Sequence, residues 1–562
     1  MKNHATLLSL AWAVFTPGPA GARGAELYPE RDWWQDRVWY EVFVRSFADS
    51  TEGPLANDGV GDLRGLIERL DYLNDGDPDT TDDLGVTGIW LMPVNESPSY
   101  HGYDVVDYLS VDSEYGTVDD MKELVEACHD RGIAVIIDLV INHTSNQHPW
   151  FVEAADPASE RHDWYVWSDR KPGWNGPWGQ PAWHAQKRAE SGKWYYGVFW
   201  HGMPDLNWRN PDVEQAVVDF SWWWLREIGI DGFRLDAVKL LVADGPREQE
   251  HTDATLDALA RYNAALKDEF PDCFIVGEVW DGTSVVAPYL TPREAGGGVG
   301  RSSALDSAFE FDLSYGIVEG VRDGDAVKVA ERLERAWQTH REHAFSTFLT
   351  NHDQSRVADA LARDPEKLRL AATLLLTMPG APFLYYGEEV GLRGSKPDED
   401  IRRPMPWDAS EHAGFTRGTP WREPWPEFNT VNVSSQAALP DSLLSTYRDA
   451  IRLRTADERL RSGGVVVLNT GRSDVLAYLR TGGDGSGVLV VANLGGLPVY
   501  AYRLGGRGTG LARYLDAAPL LGEAEVRAPK QVMNGTLTGY KPVKVLEPET
   551  AYVIELTPAA RP

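Results

Sequence analysis

Short apolar runs alternate with longer amphipathic stretches along most of the chain, from about residue 38 to residue 386. The short runs predict β-strands, and the stretches between them, such as 121–131 and 213–228, predict helices. The eight strand candidates are 38–43, 88–92, 134–139, 232–236, 274–278, 307–311, 347–350 and 382–386. Eight βα units in succession predict an α/β fold of the (β/α)8 barrel type, the TIM barrel.

Two parts of the chain depart from this alternation. Residues 143–205, between the third and fourth strand candidates, are rich in Trp, Gly, Pro and His and weakly periodic, which predicts an inserted loop domain. After residue 460, runs such as VLAYLR and VLVVANL follow Gly-rich turns without helices, which predicts an antiparallel β-sandwich. We therefore predict a barrel over 35–142 and 206–455, the insert, and a C-terminal domain over 460–562.

Composition excludes several classes of protein. Of the 562 residues, 43% are hydrophobic and 25% charged, as in a globular enzyme rather than a disordered or collagen-like chain. With 85 acidic and 54 basic residues the formal charge is −31, so we expect neither nucleic acid nor a membrane as a partner. Cys128 and Cys273 cannot supply a disulfide framework or a cysteine zinc cluster. We expect two buried free thiols, and one disulfide bond between them is the alternative.

The N-terminus has the order of a secretory signal. Lys2 precedes a short apolar run over 5–15, and AGA at 20–22 offers small residues for cleavage. The run is too short to span a membrane. We predict a signal peptide over 1–22 and a secreted or periplasmic protein, with a misassigned start as the alternative.

Several strand candidates end in side chains that can carry chemistry. These are Asp138, Asn142, His143, Arg234, Asp236, Glu278, His352 and Asp353. A single carboxylate there is weak evidence, because Asp often caps the following helix. Barrel enzymes, however, have their active sites at the carboxyl ends of the strands, and crowded acids shift each other's pKa values. One protonated and one ionised carboxyl group is what a retaining glycosidase needs.

Three of these segments carry a family resemblance. From about residue 35 onward the chain resembles the α-amylase superfamily, glycoside hydrolase family 13. GFRLDAVK is similar to the family's nucleophile strand, GEVW to its acid/base strand, and FLTNHDQSR to the strand of its third carboxylate. The resemblance implies that Asp236 attacks the anomeric carbon and that Glu278 protonates the leaving oxygen and later activates water. Asp353 would stabilise the distorted transition state.

The same resemblance implies a set of residues around the sugar at the cleavage point. Arg234 would orient the nucleophile and keep it ionised, and Tyr103 in HGYDVVDY would stack beneath the ring. The other implied substrate contacts are Asp104, His143, Lys239, His352 and Arg402, with Asp138 in a supporting position. A structural histidine is the alternative for His143 and for His352.

Further motifs bear on the bond that is cleaved. GMPDLNW resembles the MPDLN group, intermediate between oligo-1,6-glucosidases and neopullulanases, and Ala237 resembles enzymes that act on α-1,4 bonds. Leu240 follows Lys239 where the family's amylases commonly have Lys-His, which is against a plain endo-amylase. IRRPMPWD resembles exo-acting α-glucosidases, in which an arginine at the position of Arg402 helps to close the pocket. Endo and exo action both stay open.

The resemblance also implies structural calcium. The segment similar to the family's calcium loop contains Asp49, Asp58, Val60 and Asp62. Alternate carboxylates and a backbone carbonyl suit a hard cation, but residues 51–56 lengthen the spacing, and a solvated acidic turn is the alternative. Asn142 resembles a ligand of the family's other calcium site, whose remaining ligands would come from residues 150–205.

We therefore expect an exported, calcium-binding α-glucan hydrolase of the α-amylase type, cleaving α-1,4 bonds by double displacement. An exo-acting α-glucosidase or 4-α-glucanotransferase is the alternative within the same chemistry. A non-catalytic carbohydrate-binding protein of this fold usually lacks a carboxylate, whereas Asp236, Glu278 and Asp353 are all present. We expect a monomer whose partner is an α-glucan or a maltooligosaccharide.

Overall fold

Eight parallel strands close into a barrel in the computed structural model, which describes residues 33–187, 192–294, 301–340, 344–522 and 524–560. Each strand pairs with its neighbours in chain order, and the eighth pairs with the first. The barrel strands are Trp39–Val42, Gly88–Leu91, Ala134–Leu139, Gly232–Leu235, Phe274–Gly277, Ser307–Phe309, Phe345–Thr347 and Ala381–Tyr385. The predicted (β/α)8 barrel is confirmed. The predicted signal peptide lies outside the described residues.

The predicted bounds of the seventh strand were wrong. The pattern predicted 347–350, whereas the strand is Phe345–Thr347. Phe348 already packs in the aromatic cluster of the barrel, and Thr350 accepts the Val357 N–H at 3.2 Å. These residues therefore belong to the loop that follows the strand, although their apolar side chains extend the strand pattern.

Helices surround the barrel, except that Pro149–Ala154 lies in the insert. They are Val44–Phe47, Leu63–Glu68, Leu70–Leu73, Val118–Asp130, Pro149–Ala154, Pro211–Trp223, Asp253–Glu269, Thr283–Val286, Phe311–Asp323, Ala326–Thr339, Val357–Ala360, Pro365–Thr377, Asp398–Ile401, Val433–Ala437, Leu443–Ala456 and Glu458–Arg461. The helix predicted from residue 121 begins three residues earlier, because Thr117 and Asp120 form a capping box. The helix predicted over 213–228 ends at Trp223 and continues as one π-helical turn, Trp224–Ile228.

Aromatic side chains fill the interior of the barrel. Trp39 stacks on Phe274 and on Phe383, with ring centroids 5.3 and 5.5 Å apart. A Cβ at Gly88 would lie 2.5 Å from the Trp39 ring, so only glycine fits opposite this indole. The interior is therefore a packed core rather than a channel.

The insert is a small sheet bound to the third and fourth barrel strands. Its strands are Trp167–Ser168, Trp183–Ala185 and Trp194–Tyr196. At its two ends, His143 and Asp205 form an antiparallel bridge. The insert therefore begins and ends at one point beside the carboxyl end of the barrel.

The C-terminal part of the chain contains a five-stranded antiparallel sheet. Its strands, in spatial order, are Gly464–Val467, Val475–Thr481, Gly487–Asn493, Thr550–Pro558 and Leu515–Leu521. Side chains alternate along it: Leu476 and Tyr478 pack into the barrel's core, whereas Ala477 and Leu479 pack into a second core. A two-stranded sheet, Leu504–Gly506 with Leu537–Tyr540, covers that second core. The predicted antiparallel β-domain is confirmed.

Two expectations from composition can be compared with the structure. Cys128 and Cys273 are both buried and free, as expected. Among the described residues, no helix is long and apolar enough to cross a membrane.

Candidate active site

Arg234 is the centre of a cluster of carboxylates at the carboxyl end of the barrel. Its Nη1 donates to Asp138 Oδ1 at 2.8 Å and to Asp236 Oδ1 at 2.9 Å. Its Nη2 lies 3.0 Å from Glu278 Oε2. The guanidinium also lies over the Trp90 ring, 5.1 Å from the centroid. One buried cation thus contacts three acids from three neighbouring strands.

The strand ends explain how the two central acids come together. The fourth strand ends at Leu235 and the fifth at Gly277, so Asp236 and Glu278 are the first residues beyond them. Ala237 then adopts a left-handed conformation with φ 48°, which is uncommon for a residue with a Cβ. In this conformation its N–H donates to Glu278 Oε2 at 3.2 Å.

Burial shifts the pKa of both acids upward. Burial raises the pKa of Asp236 to about 6, with the charges of Asp138 and Asp353 adding to the shift and Arg234 opposing it. Burial also raises the pKa of Glu278, again against Arg234. Because the two groups interact, ionisation of one favours protonation of the other. The pair is therefore suited to share one proton.

The third acid, Asp353, is held ionised by a histidine. His352 Nδ1 donates to Glu41 Oε1 at 2.5 Å, and its Nε2 lies 3.2 Å from Asp353 Oδ2. Burial alone would lower the pKa of His352, but Asp353 and Glu41 raise it to about 10. Burial would likewise raise the pKa of Asp353, yet His352 and Arg402 hold it well below its ordinary value. This end of the site thus holds a fixed cation and a fixed anion.

Sequence reasoning missed Glu41, which balances His352. It lies in the first barrel strand, where all four residues are buried. A glutamate inside a fully buried strand was the available signal, because such a side chain needs a partner for its charge.

Tyr103 and His143 contact protein groups as well as the site. Tyr103 Oη donates to Asp138 Oδ2 at 2.9 Å and lies 2.7 Å from His352 Nε2. His143 Nε2 lies 3.0 Å from the Tyr103 carbonyl oxygen, and its Nδ1 lies 3.3 Å from the Asn142 amide nitrogen. Burial lowers the pKa of His143 to about 4, so its ring is neutral. Contacts of these rings with sugar stay predictions.

These residues surround a cavity of about 670 Å³. Of the predicted residues, those that line it are Tyr103, His143, Asp236, Lys239, Glu278, Asp353 and Arg402. Asp138, Arg234 and His352 are buried beneath it. Asp104 is buried and accepts a hydrogen bond from Ser97 at 2.8 Å. The lining residues that sequence reasoning missed are His101, Trp178, Phe199, Met203, Trp280, Lys396 and Asp398.

Arg402 and Lys239 lie on different walls of the cavity. Arg402 Nη2 is 3.0 Å from Asp353 Oδ1, and its Nε donates to the His352 carbonyl at 3.1 Å. Lys239 Nζ is 3.1 Å from Glu250 Oε2 and donates to the Trp280 carbonyl at 3.2 Å. Arg402 is therefore fixed against the third acid, and Lys239 against the loop that follows Glu278.

In this structure the carboxylates of the predicted calcium loop accept backbone hydrogen bonds, and calcium binding there stays a prediction. Asp49 accepts the N–H groups of Asn57 and Gly59, both at 2.8 Å, and Asp62 caps a helix through the Gly65 N–H at 2.8 Å. Asp58 is exposed, and the loop that contains Val60 is closed by these hydrogen bonds. Nowhere in the described ranges do three His, Cys, Asp or Glu residues form a group that could hold a metal.

Asn142 has a different environment. Its Oδ1 and Asp205 Oδ2 are both buried and, within the described part of the chain, have no hydrogen-bond partner. Asp205 Oδ1 accepts the Val198 N–H at 3.0 Å, and burial raises the pKa of Asp205 to about 8. Buried carboxylate and amide oxygens of this kind suit a hard cation.

Comparison with known proteins agrees with the fold and the site. Residues 41–463 match the family described as alpha amylase, catalytic domain. The chain is 36% identical over 469 residues to alpha-amylase 3 of Dictyoglomus thermophilum, covering 82% of this chain and 85% of that protein. It is 34% identical over 530 residues to trehalose synthase/amylase of Mycobacterium tuberculosis, covering 84% of each. The crystal structure of alpha-amylase from H. orenii has a TM-score of 0.77 and 37% identity, covering 92% of this chain and 99% of that one.

A barrel with this site and these relatives is a glycoside hydrolase that acts on α-glucans. More particularly, the chain belongs to the α-amylase family, glycoside hydrolase family 13.

Proposed function

We propose that the protein hydrolyses α-1,4-glucosidic bonds of starch or maltooligosaccharides with retention of configuration. The observation that carries the proposal is the contact of one guanidinium, Arg234, with both Asp236 and Glu278. Sharing a single cation keeps the two carboxyl groups close, and a close pair is what double displacement requires. The similarity to alpha-amylase 3 supports the amylase assignment.

We infer two displacements at the anomeric carbon. In the first, the Asp236 carboxylate bonds to the anomeric carbon while the glycosidic C–O bond breaks, and Glu278 gives its proton to the leaving oxygen. In the second, the Glu278 carboxylate takes a proton from water, whose oxygen replaces Asp236 at the same carbon. Asp353 remains ionised throughout and stabilises the positive charge that develops on the ring.

An exo-acting or glucosyl-transferring enzyme is the second candidate. It is favoured by Arg402, which is fixed to Asp353 and lines the cavity, because a charged pair there can end the pocket at the first sugar. The relative described as trehalose synthase/amylase supports this candidate too. Water then competes with a sugar hydroxyl for the glycosyl-Asp236 intermediate.

Two further proposals concern stability and location. We propose that calcium binds between the barrel and the insert, held by Asn142 Oδ1 and Asp205 Oδ2, where it would fix the insert and take no part in the reaction. Export by the segment over 1–22 remains a proposal based on the sequence.

A product time course on soluble starch tests the proposal. An endo-acting amylase gives a fast fall in viscosity and a spread of oligosaccharides, while an exo-acting enzyme gives glucose with little loss of viscosity. Asp236→Ala is the inactive control variant. It removes the proposed nucleophile, and the backbone at this position is already fixed. An equal rate for this variant would contradict the assignment, and so would products with inverted configuration.

A further inference from the structure

One region of the C-terminal domain carries a charge opposite to that of the rest of the protein. Residues 499–546 contain seven basic and three acidic residues, whereas the whole chain has 54 basic and 85 acidic residues. This region includes the two-stranded sheet formed by Leu504–Gly506 and Leu537–Tyr540. A local excess of positive charge in so acidic a chain indicates a surface suited to an anion.

The fold brings four of these basic side chains together. The pairing of the two-stranded sheet, continued by one residue, places Arg503 opposite Lys541. The Arg527 N–H donates to the Pro542 carbonyl at 2.9 Å, so Arg527 is held beside the same strand end. We call Arg503, Arg527, Lys541 and Lys544 the basic face.

The four cations of the basic face repel one another. Burial and the charges of the other three residues lower the pKa of Lys541. Arg503, Arg527 and Lys544 are all exposed to solvent. Like charges on paired strands destabilise a sheet, and a bound anion would remove this repulsion. The face is therefore better suited to a complex with an anion than to the free protein.

Hydrogen bonds fix the backbone beneath the basic face. Tyr502 Oη donates to the Val543 carbonyl at 2.7 Å and accepts the Val543 N–H at 3.1 Å. Lys541 Nζ lies 5.5 Å from the centroid of the Tyr502 ring and donates to the Tyr500 carbonyl at 2.6 Å. Because these segments are ordered in the free protein, binding has a smaller entropic cost.

An exposed aromatic residue adjoins the basic face. Tyr500 is 66% exposed, and its carbonyl is the acceptor for Lys541. A phenol ring combines a flat apolar surface with a polar edge, which suits a sugar ring. A phosphate monoester carries about −1.5 to −2 charges and three strong acceptor oxygens, which suit arginine and lysine. The two kinds of side chain together indicate a phosphorylated sugar.

The charge of the whole molecule restricts what can carry the phosphate. Attraction to the basic face falls off over about 10 Å at 0.1 M salt. A continuous polyanion extends beyond this distance and is repelled by the rest of the chain, whose formal charge is negative. A neutral glucan with isolated phosphate groups brings its charge to the basic face alone. A phosphorylated glucan is therefore favoured over nucleic acid and over an anionic membrane.

We propose that the basic face, with Tyr500 beside it, binds a phosphate monoester group on an α-glucan. None of these residues lines the cavity that contains Asp236 and Glu278. The inference rests on the proposed function for the kind of sugar polymer. Binding at the basic face would hold a phosphorylated chain on the enzyme while its unmodified segments enter the cavity.

Binding to two forms of one starch tests the proposal. The dissociation constant of the inactive Asp236→Ala chain, which does not digest the polymer, is measured for phosphorylated starch and for the same starch after phosphatase treatment. We expect tighter binding to the phosphorylated form. Adding Arg527→Gln and Lys544→Gln should weaken that binding by about tenfold and leave binding to the dephosphorylated starch unchanged. Tyr500→Ala should weaken binding to phosphorylated starch but not to inorganic phosphate.

A second double variant, Arg226→Gln with Arg472→Gln, is the matched control. Both arginines are exposed and lie outside the basic face, where they pair with Glu269 at 2.8 Å and with Asp474 at 2.6 Å. This variant removes the same net charge, and we expect it to bind both starches as the parent chain does.

Three outcomes would overturn the proposal. They are equal binding of the two starches, an equal loss in the control variant, and binding of polyphosphate as tight as that of phosphorylated starch, which would assign the face to polyanions in general. A wild-type enzyme that does not cleave maltotetraose would instead contradict the proposed function, because the binding measurement does not depend on cleavage.

Discussion

Two groups of buried arginines in this protein keep their charge in opposite ways. Arg234, in the candidate active site, contacts the carboxylates of Asp138, Asp236 and Glu278. Arg454 and Arg480, between the barrel and the C-terminal sheet, donate to backbone carbonyls. Arg454 Nη1 donates to the Met378 carbonyl at 2.8 Å, just beyond the end of a helix.

The pKa values reflect this difference. Burial opposes charge on Arg234, yet the carboxylates hold its pKa well above the ordinary value. Burial and the charge of Arg480 lower the pKa of Arg454 to about 9. This contrast indicates that carboxylates around a buried arginine serve the reaction, because the opposite charges set each other's pKa values. Carbonyls at a helix end, in comparison, bind a buried arginine for the stability of the fold.

The largest effect is expected at the first arginine. Arg234→Met leaves three buried carboxyl groups without their cation, so they take up protons and Asp236 is no longer a nucleophile. We expect kcat to fall by about 10³-fold or more. Steady-state kinetics on maltotetraose measures this. Activity within tenfold of wild type would contradict the importance of the shared cation.

Arg454→Met should give the reverse pattern. It leaves the carbonyls of Leu376, Met378 and Gly380 without their donor, so we expect the free energy of unfolding to fall by about 2–4 kcal/mol. The kcat of the folded enzyme should be unchanged. Thermal melting and kinetics on one sample measure both. A variant that melts like wild type but is inactive would reverse the distinction between the two regions.

The pH profile tests the charged cluster more finely. Because Asp236 must be ionised and its pKa is raised to about 6, kcat/KM should fall tenfold per pH unit below about 6. The raised pKa of Glu278 gives a second, basic limb, since this group must be protonated. Asp138→Asn removes a charge that raises the pKa of Asp236, so the acidic limb should move to lower pH. An unmoved limb would exclude Asp138 as a source of the shift.

The smallest effect concerns Asp205, a buried carboxyl group where the insert joins the barrel. Its folded-state pKa is raised to about 8, so folding binds a proton and stability falls as pH rises from about 4 to 8. A bound cation would remove that loss. We therefore expect calcium to raise Tm over its value in EDTA by a few degrees at pH 8 and by less at pH 5. Asp205→Asn should abolish the difference, and identical melting curves in wild type would rule out the site.

The barrel was predictable because strand periodicity is a local signal, whereas the central acids were selected among the strand-end residues by their resemblance to the family's motifs. Asp236, Glu278 and Asp353 each follow a recognisable apolar run, and the structure brings them to one cavity. Glu41 and Trp178 were missed because their partners lie far along the chain. The calcium loop was predicted from its resemblance to the family's loop, and in the structure its carboxylates accept backbone N–H groups.

The bridge between His143 and Asp205 joins the two ends of the insert, so the insert is closed at its base. Its ends are also joined by hydrogen bonds from the Thr144 N–H to Pro204 and from the Leu206 N–H to Asn142. The entropy of closing a loop grows slowly with length, by about 0.6 kcal/mol for each doubling. Segments of other lengths and compositions could therefore replace this one with little change in the barrel's own stability, and each would bring its own surface to the mouth of an unchanged reaction centre.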